Sequence, residues 1–193
     1  MNKIDIVNNV IWDRLPIYKI VKYLFKQGSF KPFAQARICY ILNRGFKVRL
    51  WSFEVNPPCE VFQNGSLDIL NDSVLSIICN FDPKQADNII IITCNRNGKY
   101  LIRKDDKIED HELNISCFAG EDLQGIYWGI EFLIAENFLK SILNNFELNF
   151  KKGSNIKLNF LKSCNKKDYY HCGGFVDIDK YDLTKNLENL ILN

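Results

Sequence analysis

The chain has little of what enzymes and membrane proteins usually display. Its 193 residues include only two histidines, His111 and His171. Neither belongs to an HExxH, HxH or nucleophile–base spacing, and no GxSxG, P-loop or GxGxxG occurs; Gly173-Gly174 reads as a turn or bulge. No apolar run approaches the ~18 residues that a transmembrane helix needs, and Ile89–Ile92 is strand-sized. The seven cysteines (Cys39, Cys59, Cys79, Cys94, Cys117, Cys164 and Cys172) are odd in number and contain no CxxC pair. That argues against a disulfide framework and for a reducing compartment. Residues 1–12 lack an unbroken apolar core of the secretory kind, so the expected location is cytoplasmic. A surplus of charge is missing too: 25 basic against 23 acidic residues leave +2, with no electrostatic footprint for nucleic acid or an anionic membrane. Asn, Ile and Lys are abundant, as an AT-rich genome would make them, which warns against reading function into any one of them.

What is present is alternation. The length fits a single domain, 1–193, since domains usually run ~100–200 residues. In Phe46–Val55 the side chains of Phe46, Val48 and Leu50 share one face, and Lys47, Arg49 and Trp51 the other. Ser73–Asn80 and Asn88–Asn95 are β-branched runs suited to central strands. Asp82-Pro83 and Asp87-Asn88 bracket the connection between them, and Asn97-Gly98 marks a hairpin. Gly125–Leu133 places Ile126, Trp128, Ile130 and Phe132 on one face, and Asn155–Lys162 does the same with Ile156, Leu158 and Phe160. Helical spacing appears at 134–146 (Ile134, Phe138, Leu139, Ile142, Leu143, Phe146) and in Tyr181–Asn193, with Asp182 as its cap. Leu15–Phe25 fits helix or strand; loops are expected near Asn56–Asp72 and Lys104–Glu112. The expected fold is therefore all-β: an antiparallel β-sandwich, jelly-roll or immunoglobulin-like, with one or two short helices.

Candidate chemistry is sparse. The stretch Asp105, Asp106, Glu109, Asp110, His111, Glu112 offers oxygen ligands of the kind calcium takes, without EF-hand spacing. It reads more simply as a solvated loop, so no cofactor is expected, with structural calcium as the alternative. Cys164, His171 and Cys172 include zinc-type ligands at no structural-site spacing, and buried thiols are the simpler reading. A cysteine nucleophile activated by His171 would need the two within hydrogen-bond reach. Among the tryptophans, Trp12 is open, Trp128 belongs with its apolar neighbours, and Trp51 lies beside Lys47 and Arg49 on a polar face. Tyr169, Tyr170 and His171 fall in an expected loop after a strand, where binding groups concentrate.

The succession of segments resembles a family 9 carbohydrate-binding module, in the form of its diverged bacterial members. The similarity rests on Phe46–Val55, on Asp72-Ser73-Val74-Leu75-Ser76-Ile77, and on Ile90–Gly98. It continues in Gly125-Ile126-Tyr127-Trp128 with Ile134-Ala135-Glu136-Asn137-Phe138, and in Leu158-Asn159-Phe160-Leu161-Lys162. The resemblance implies a β-sandwich, non-catalytic ancestry and binding of a carbohydrate or glycoconjugate. Three departures stand out: the family's glutamate after its "DSV" falls on Leu75 or Ser76, its preceding tryptophan near Ile69 or Leu70, and its late loop (here Ser163–His171) has no tryptophan. The two tryptophans that sandwich sugar in binding members therefore have no counterparts here. Stacking is expected of Trp51, Tyr169 and Tyr170, and hydrogen bonding of Asn159 and His171. The alternative is a protein-interaction or scaffold module, or a homodimer, that keeps the fold without the sugar site.

Overall fold

The computed structural model describes residues 2–24, 30–85, 88–105, 107–145 and 147–193. In chain order the strands are β1 (Lys3–Val7), β2 (Tyr18–Ile20), β3 (Lys22–Tyr23), β4 (Ala34–Ile41), β5 (Gly45–Phe53), β6 (Val74–Asn80), β7 (Ile89–Asn95), β8 (Tyr100–Lys104), β9 (Lys107–Ile108), β10 (Ser116–Asp122), β11 (Gly125–Ala135), β12 (Asn155–Cys164), β13 (His171–Gly174) and β14 (Glu188–Leu192). One α-helix, α1 (Glu136–Ile142), follows β11, and 3-10 turns occur at Trp12–Arg14, Leu67–Asn71 and Lys167–Tyr169. No helix among the described residues is long and apolar enough to cross a membrane.

The patterns read from the sequence match β5, β6, β7, β11 and β12 among these strands. Phe46, Val48 and Leu50 of β5 are fully buried, while Lys47, Arg49 and Trp51 stay half-buried on the opposite face. Ile156, Leu158 and Phe160 of β12 are buried likewise. β6 is buried on both faces, as its unbroken apolar run requires of a central strand. In β11, Trp128, Ile130 and Phe132 are buried, but Ile126 is 45% exposed, because the β10–β11 hairpin outruns the core. The Asn97-Gly98 turn forms as read: Gly98 N–H donates to the Asn95 carbonyl at 3.1 Å, and Gly98 takes φ 74°, a left-handed value suited to glycine. In the β6–β7 connection Gln85 N–H turns back to the Asp82 carbonyl at 2.9 Å; Asp87 lies outside the described residues.

The strands join into one continuous mixed sheet of fourteen. Its first arm runs β10-β11-β5-β4 and its second β12-β6-β7-β8-β9, with β1 and β14 between them. β1 is the joint. Lys3 and Ile4 pair in parallel with β14, and Asp5–Val7 pair in parallel with β4. This corrects the expectation of a wholly antiparallel arrangement. Alternation dictates which face of a strand is buried but says nothing of its neighbour's direction.

Two helices differ from expectation. Tyr181–Asn193 is not helical: its last residues form β14, where Leu190 and Leu192 are buried two apart, and the strand pairs with both β1 and β12. Filling an otherwise unpaired gap satisfies backbone groups that a helix would have left open. Asp182 instead shapes a loop, accepting from Thr184 N–H at 2.8 Å and its hydroxyl at 2.6 Å. The helix expected over 134–146 shortens to α1, which buries Leu139 and Ile142; Ile134 belongs to β11, opposite Phe46. Phe146 lies outside the described residues. Leu15–Phe25 resolves into β2 and β3, with Phe25 outside the described residues.

Both arms contribute to one apolar cluster. Phe46 of β5 meets Phe81 at 4.7 Å between ring centroids and Phe150 at 4.9 Å; Tyr18 of β2 meets Phe160 of β12 at 5.4 Å. The inward faces of the two arms therefore carry the main core, and smaller apolar clusters around Cys39 and Ile41 and around Val74 and Leu101 cover part of their outward faces.

Candidate functional site

The parity that buries Phe46, Val48 and Leu50 continues past β5 and turns Glu54 inward. In β12 it carries on from Ile156, Leu158 and Phe160 to Lys162. The two meet with Nζ 3.0 Å from Oε2, their side chains 0% and 1% exposed for Lys162 and Glu54. Ser73, immediately before β6, donates its hydroxyl to Glu54 at 2.9 Å and accepts from Lys162. Trp128 Nε1–H donates to Glu54 Oε2 at 2.9 Å, and Lys162 Nζ stands 5.3 Å from the Trp128 ring centroid.

A buried charge pair is tolerable only when its hydrogen bonds are made. Burial alone would raise the Glu54 carboxyl. The Lys162 cation and the donors Trp128 and Ser73 outweigh it and hold Glu54 below the ordinary glutamate value. Burial draws Lys162 below the usual lysine value, opposed by the adjoining carboxylate. His171, first residue of β13, lies against this network. Burial, reinforced by Lys162, lowers its pKa to about 4. Its Nδ1 bonds the Tyr169 carbonyl at 2.7 Å, where only a donor nitrogen fits, which leaves Nε2 a buried lone pair without a hydrogen-bond partner.

Beside the network opens a cleft of about 390 Å³. One side is Glu54 with Val55, Asn56 and Pro57; another is the turn residues Arg96 and Asn97; the β10–β11 hairpin closes it with Phe118, Ile126, Tyr127 and Trp128. Two side chains place these loops. Asp72 Oδ1 accepts from Glu60 N–H at 2.7 Å, and Oδ2 from Asn95 Nδ2 at 2.9 Å, pinning the chain after β5. Asn95 Oδ1 accepts from Asn97 and Lys99 N–H at 3.0 Å each and shapes the turn. The cleft thus combines aromatic walls with the exposed polar ends of Asn56, Arg96 and Asn97 over a rigid ionic floor.

None of the five residues singled out from the sequence lines it. Trp51 is half-buried on the outward face of β5, its ring under the Arg37 guanidinium at 5.8 Å. Asn159 is fully buried and holds backbone: Oδ1 accepts from Phe175 and Val176 N–H at 3.1 and 3.2 Å. Tyr169 and Tyr170 are exposed beside the 3-10 turn, whereas His171 is buried between Tyr23 and Phe30. Only 169–171 come together, on the second arm, and Trp51 stands on the first.

The other candidates also have definite places. Cys164 lies opposite His171 in the β12–β13 ladder, and its Sγ donates to the Asn71 carbonyl at 3.3 Å. Burial pushes the Cys164 thiol up and that of Cys172 to about 11, the opposite of what an activated thiolate needs. Glu109, Asp110, His111 and Glu112 line a separate cleft with Tyr100, and His111 packs edge-on to Phe138 at 5.1 Å. Asp106 lies outside the described residues. Among those described, no group of three or more His, Cys, Asp or Glu is placed to hold a metal ion. What sequence reasoning missed is Glu54, Ser73, Lys162 and the placement of Arg96 and Asn97 in the cleft. The parity of β5 and β12 was the available signal for the first and third.

The sequence matches no known family profile and no curated protein. Its fold, however, is similar to the crystal structure of a "putative carbohydrate-binding protein" from Bacteroides uniformis, with a TM-score of 0.74 and 16% identity. The likeness covers 94% of this chain and 88% of that one. The class so defined is a mostly β protein that shares the fold of that structure.

Proposed function

We propose that this chain is a non-catalytic carbohydrate-binding module. In this reading the sheet is a β-sandwich of the jelly-roll or immunoglobulin-like kind, allied to family 9 modules, and sugar enters the cleft beside Glu54 and Trp128. The observation that carries the proposal is that cleft. Tyr127 supplies ring surface for sugar C–H groups over the buried Trp128, and Asn56, Arg96 and Asn97 supply hydrogen-bonding groups from backbone-anchored loops. Support also comes from the description of the Bacteroides uniformis protein, whose fold this chain shares.

The test is a thermal-shift screen against mono- and oligosaccharides, with and without calcium, beside a module of known specificity. A ligand at a hundredfold excess over Kd stabilises by ~2.7 kcal/mol, a shift of roughly 5–11 °C in a domain of this size. A saturable shift with one sugar class, abolished by Arg96→Ala or Asn97→Ala, is the expected outcome. No shift across the panel would overturn the reading.

One observation favours a second reading, a protein-interaction module. β10 is a terminal strand of the sheet, and Leu123 and Ile126 of its hairpin are exposed. An unpaired edge invites another strand. A cytoplasmic place of action, which seven free thiols favour, suits this reading better. Concentration-dependent dimerisation abolished by a proline within β10 would support it.

A further inference from the structure

We propose a second site, centred away from the cleft and sharing only Phe118 with its lining: an anion-directed saccharide surface on the outward face of the first arm, centred on Arg37, Arg49 and Trp51. The inference rests on the carbohydrate reading for the nature of its ligand, and on the following geometry for its place and charge preference.

The β4–β5 register sets Arg37 directly opposite Arg49. Like charges facing each other across a ladder are unfavourable. Here each guanidinium lies against aromatic rings: Arg37 is 5.8 Å from the Trp51 centroid, and Arg49 is 4.3 Å from Phe118 and 5.7 Å from Trp12. The rings hold the two cations but do not neutralise them. Asp13 reaches Arg37 at 3.2 Å, yet its side chain is 99% exposed, so water screens that pair. Glu131, opposite Arg49 on β11, is engaged by Lys47 at 2.9 Å. Among the described residues Arg49 has no carboxylate within ion-pair distance, and Arg37 Nε is buried without an acceptor. The face therefore carries two guanidiniums: Arg37, 14% exposed, donates to the Trp12 carbonyl and Asp13, and Arg49 is left without a carboxylate partner among the described residues.

The ground beside them is aromatic. Gly129 sits opposite Trp51 and opposite Phe118 in its two ladders. The Phe118 ring lies over it so closely that a Cβ there would meet Phe118 Cζ at 2.3 Å. The Phe118 ring thus fills the place that a side chain at Gly129 would take, next to Trp51. Guanidinium groups bind carboxylates through two parallel hydrogen bonds, and aromatic faces accept the C–H side of a pyranose. A uronic acid residue carries both features on one ring. An acidic peptide would use the guanidiniums and leave the rings without a complement, so the saccharide is the better fit.

The test uses the full chain and isothermal titration with an oligogalacturonate, the matching neutral galactan oligomer and a glutamate peptide of equal charge. Each is run at low and at physiological salt. The expected result is oligouronate binding that weakens with salt. Arg49→Gln and Trp51→Ala should each lower it at least tenfold, while Arg96→Ala in the cleft leaves it within twofold. Arg49→Lys keeps the charge and the fold but not the two-pronged geometry, and should lose most of the affinity while melting like the parent. Unchanged oligouronate affinity in Arg49→Gln and Trp51→Ala would overturn the site. So would equal affinity for the glutamate peptide, or oligouronate binding lost in Arg96→Ala alone. Neutral sugar bound in the cleft without any oligouronate binding would sink this inference and leave the first reading standing; no binding of either sugar sinks both.

Discussion

All three tryptophans of this protein lie against a cation, and two of them, Trp128 and Trp51, make opposite use of it. Inside, Lys162 Nζ is 5.3 Å from Trp128 with Glu54 at 3.0 Å, and nothing in the group is open to water. Outside, Arg37 is 5.8 Å from Trp51, and its only carboxylate within ion-pair distance among the described residues is a fully solvated Asp13. In the low-dielectric interior an unpaired charge costs several kcal/mol, and Glu54, Lys162, Ser73 and Trp128 are bonded to one another. On the surface, screening makes a surplus of charge cheap and leaves it free to meet a ligand. The inner cluster is built to hold shape, and the outer one keeps capacity in reserve.

The sharpest way to break that contrast is to remove the inner cation. Lys162→Met keeps the volume but strands the Glu54 carboxylate, and should cost about 3–5 kcal/mol, lowering the melting temperature by roughly 6–20 °C. Adding Glu54→Gln should recover much of that loss, because the stranded charge is the main penalty. A single-variant cost under about 1 kcal/mol would mean that the pair is not the buried ionic unit described here. Next in size is Trp128→Phe, which deletes the N–H that reaches Glu54 at 2.9 Å. A hydrogen bond to a charged group contributes ~1.5–3 kcal/mol, read from urea midpoints at neutral pH.

Acid should separate the two regions as well. His171 titrates at about 4 in the folded chain against roughly 6.5 when unfolded, so the unfolded chain takes up the proton first. Stability is therefore complete above pH ~6.5 and declines as pH falls toward ~4. Glu54, held low, adds a second loss that begins below the unfolded glutamate value of ~4.3 and ends as pH passes its lowered folded value. Urea midpoints that stay level in the parent between pH 7 and 5 would contradict the buried neutral histidine, and His171→Gln should flatten the slope there. The smallest effect belongs to the outer face: Arg49→Gln should change stability by less than ~0.5 kcal/mol, whatever it does to binding.

Much of the fold was legible because alternation is a one-dimensional signal. Phe46/Val48/Leu50 and Ile156/Leu158/Phe160 declared their buried faces, and Asn97-Gly98 declared its turn. The site was legible only in fragments. Trp51 was read to the polar side of its strand, where it lies, but Asn159 looked polar and available when it is a buried backbone clamp. His171 looked like a loop residue and instead opens a strand. Glu54 and Lys162 sat in plain view at inward positions, each an extension of a parity already counted. Charged residues at strand ends invite the assumption of exposure, and that hid them.

Local order along the chain determined which segments are strands, which faces they bury and where the tight hairpin falls, because a strand's period is written in its own residues. Partners were decided by the tertiary structure alone. Residues 188–192 became a strand and not a helix because the gap between β1 and β12 had unpaired backbone to fill. Glu54 met Lys162 across 108 residues because two arms of one sheet close on a shared core, and such proximity has no period for a sequence to show.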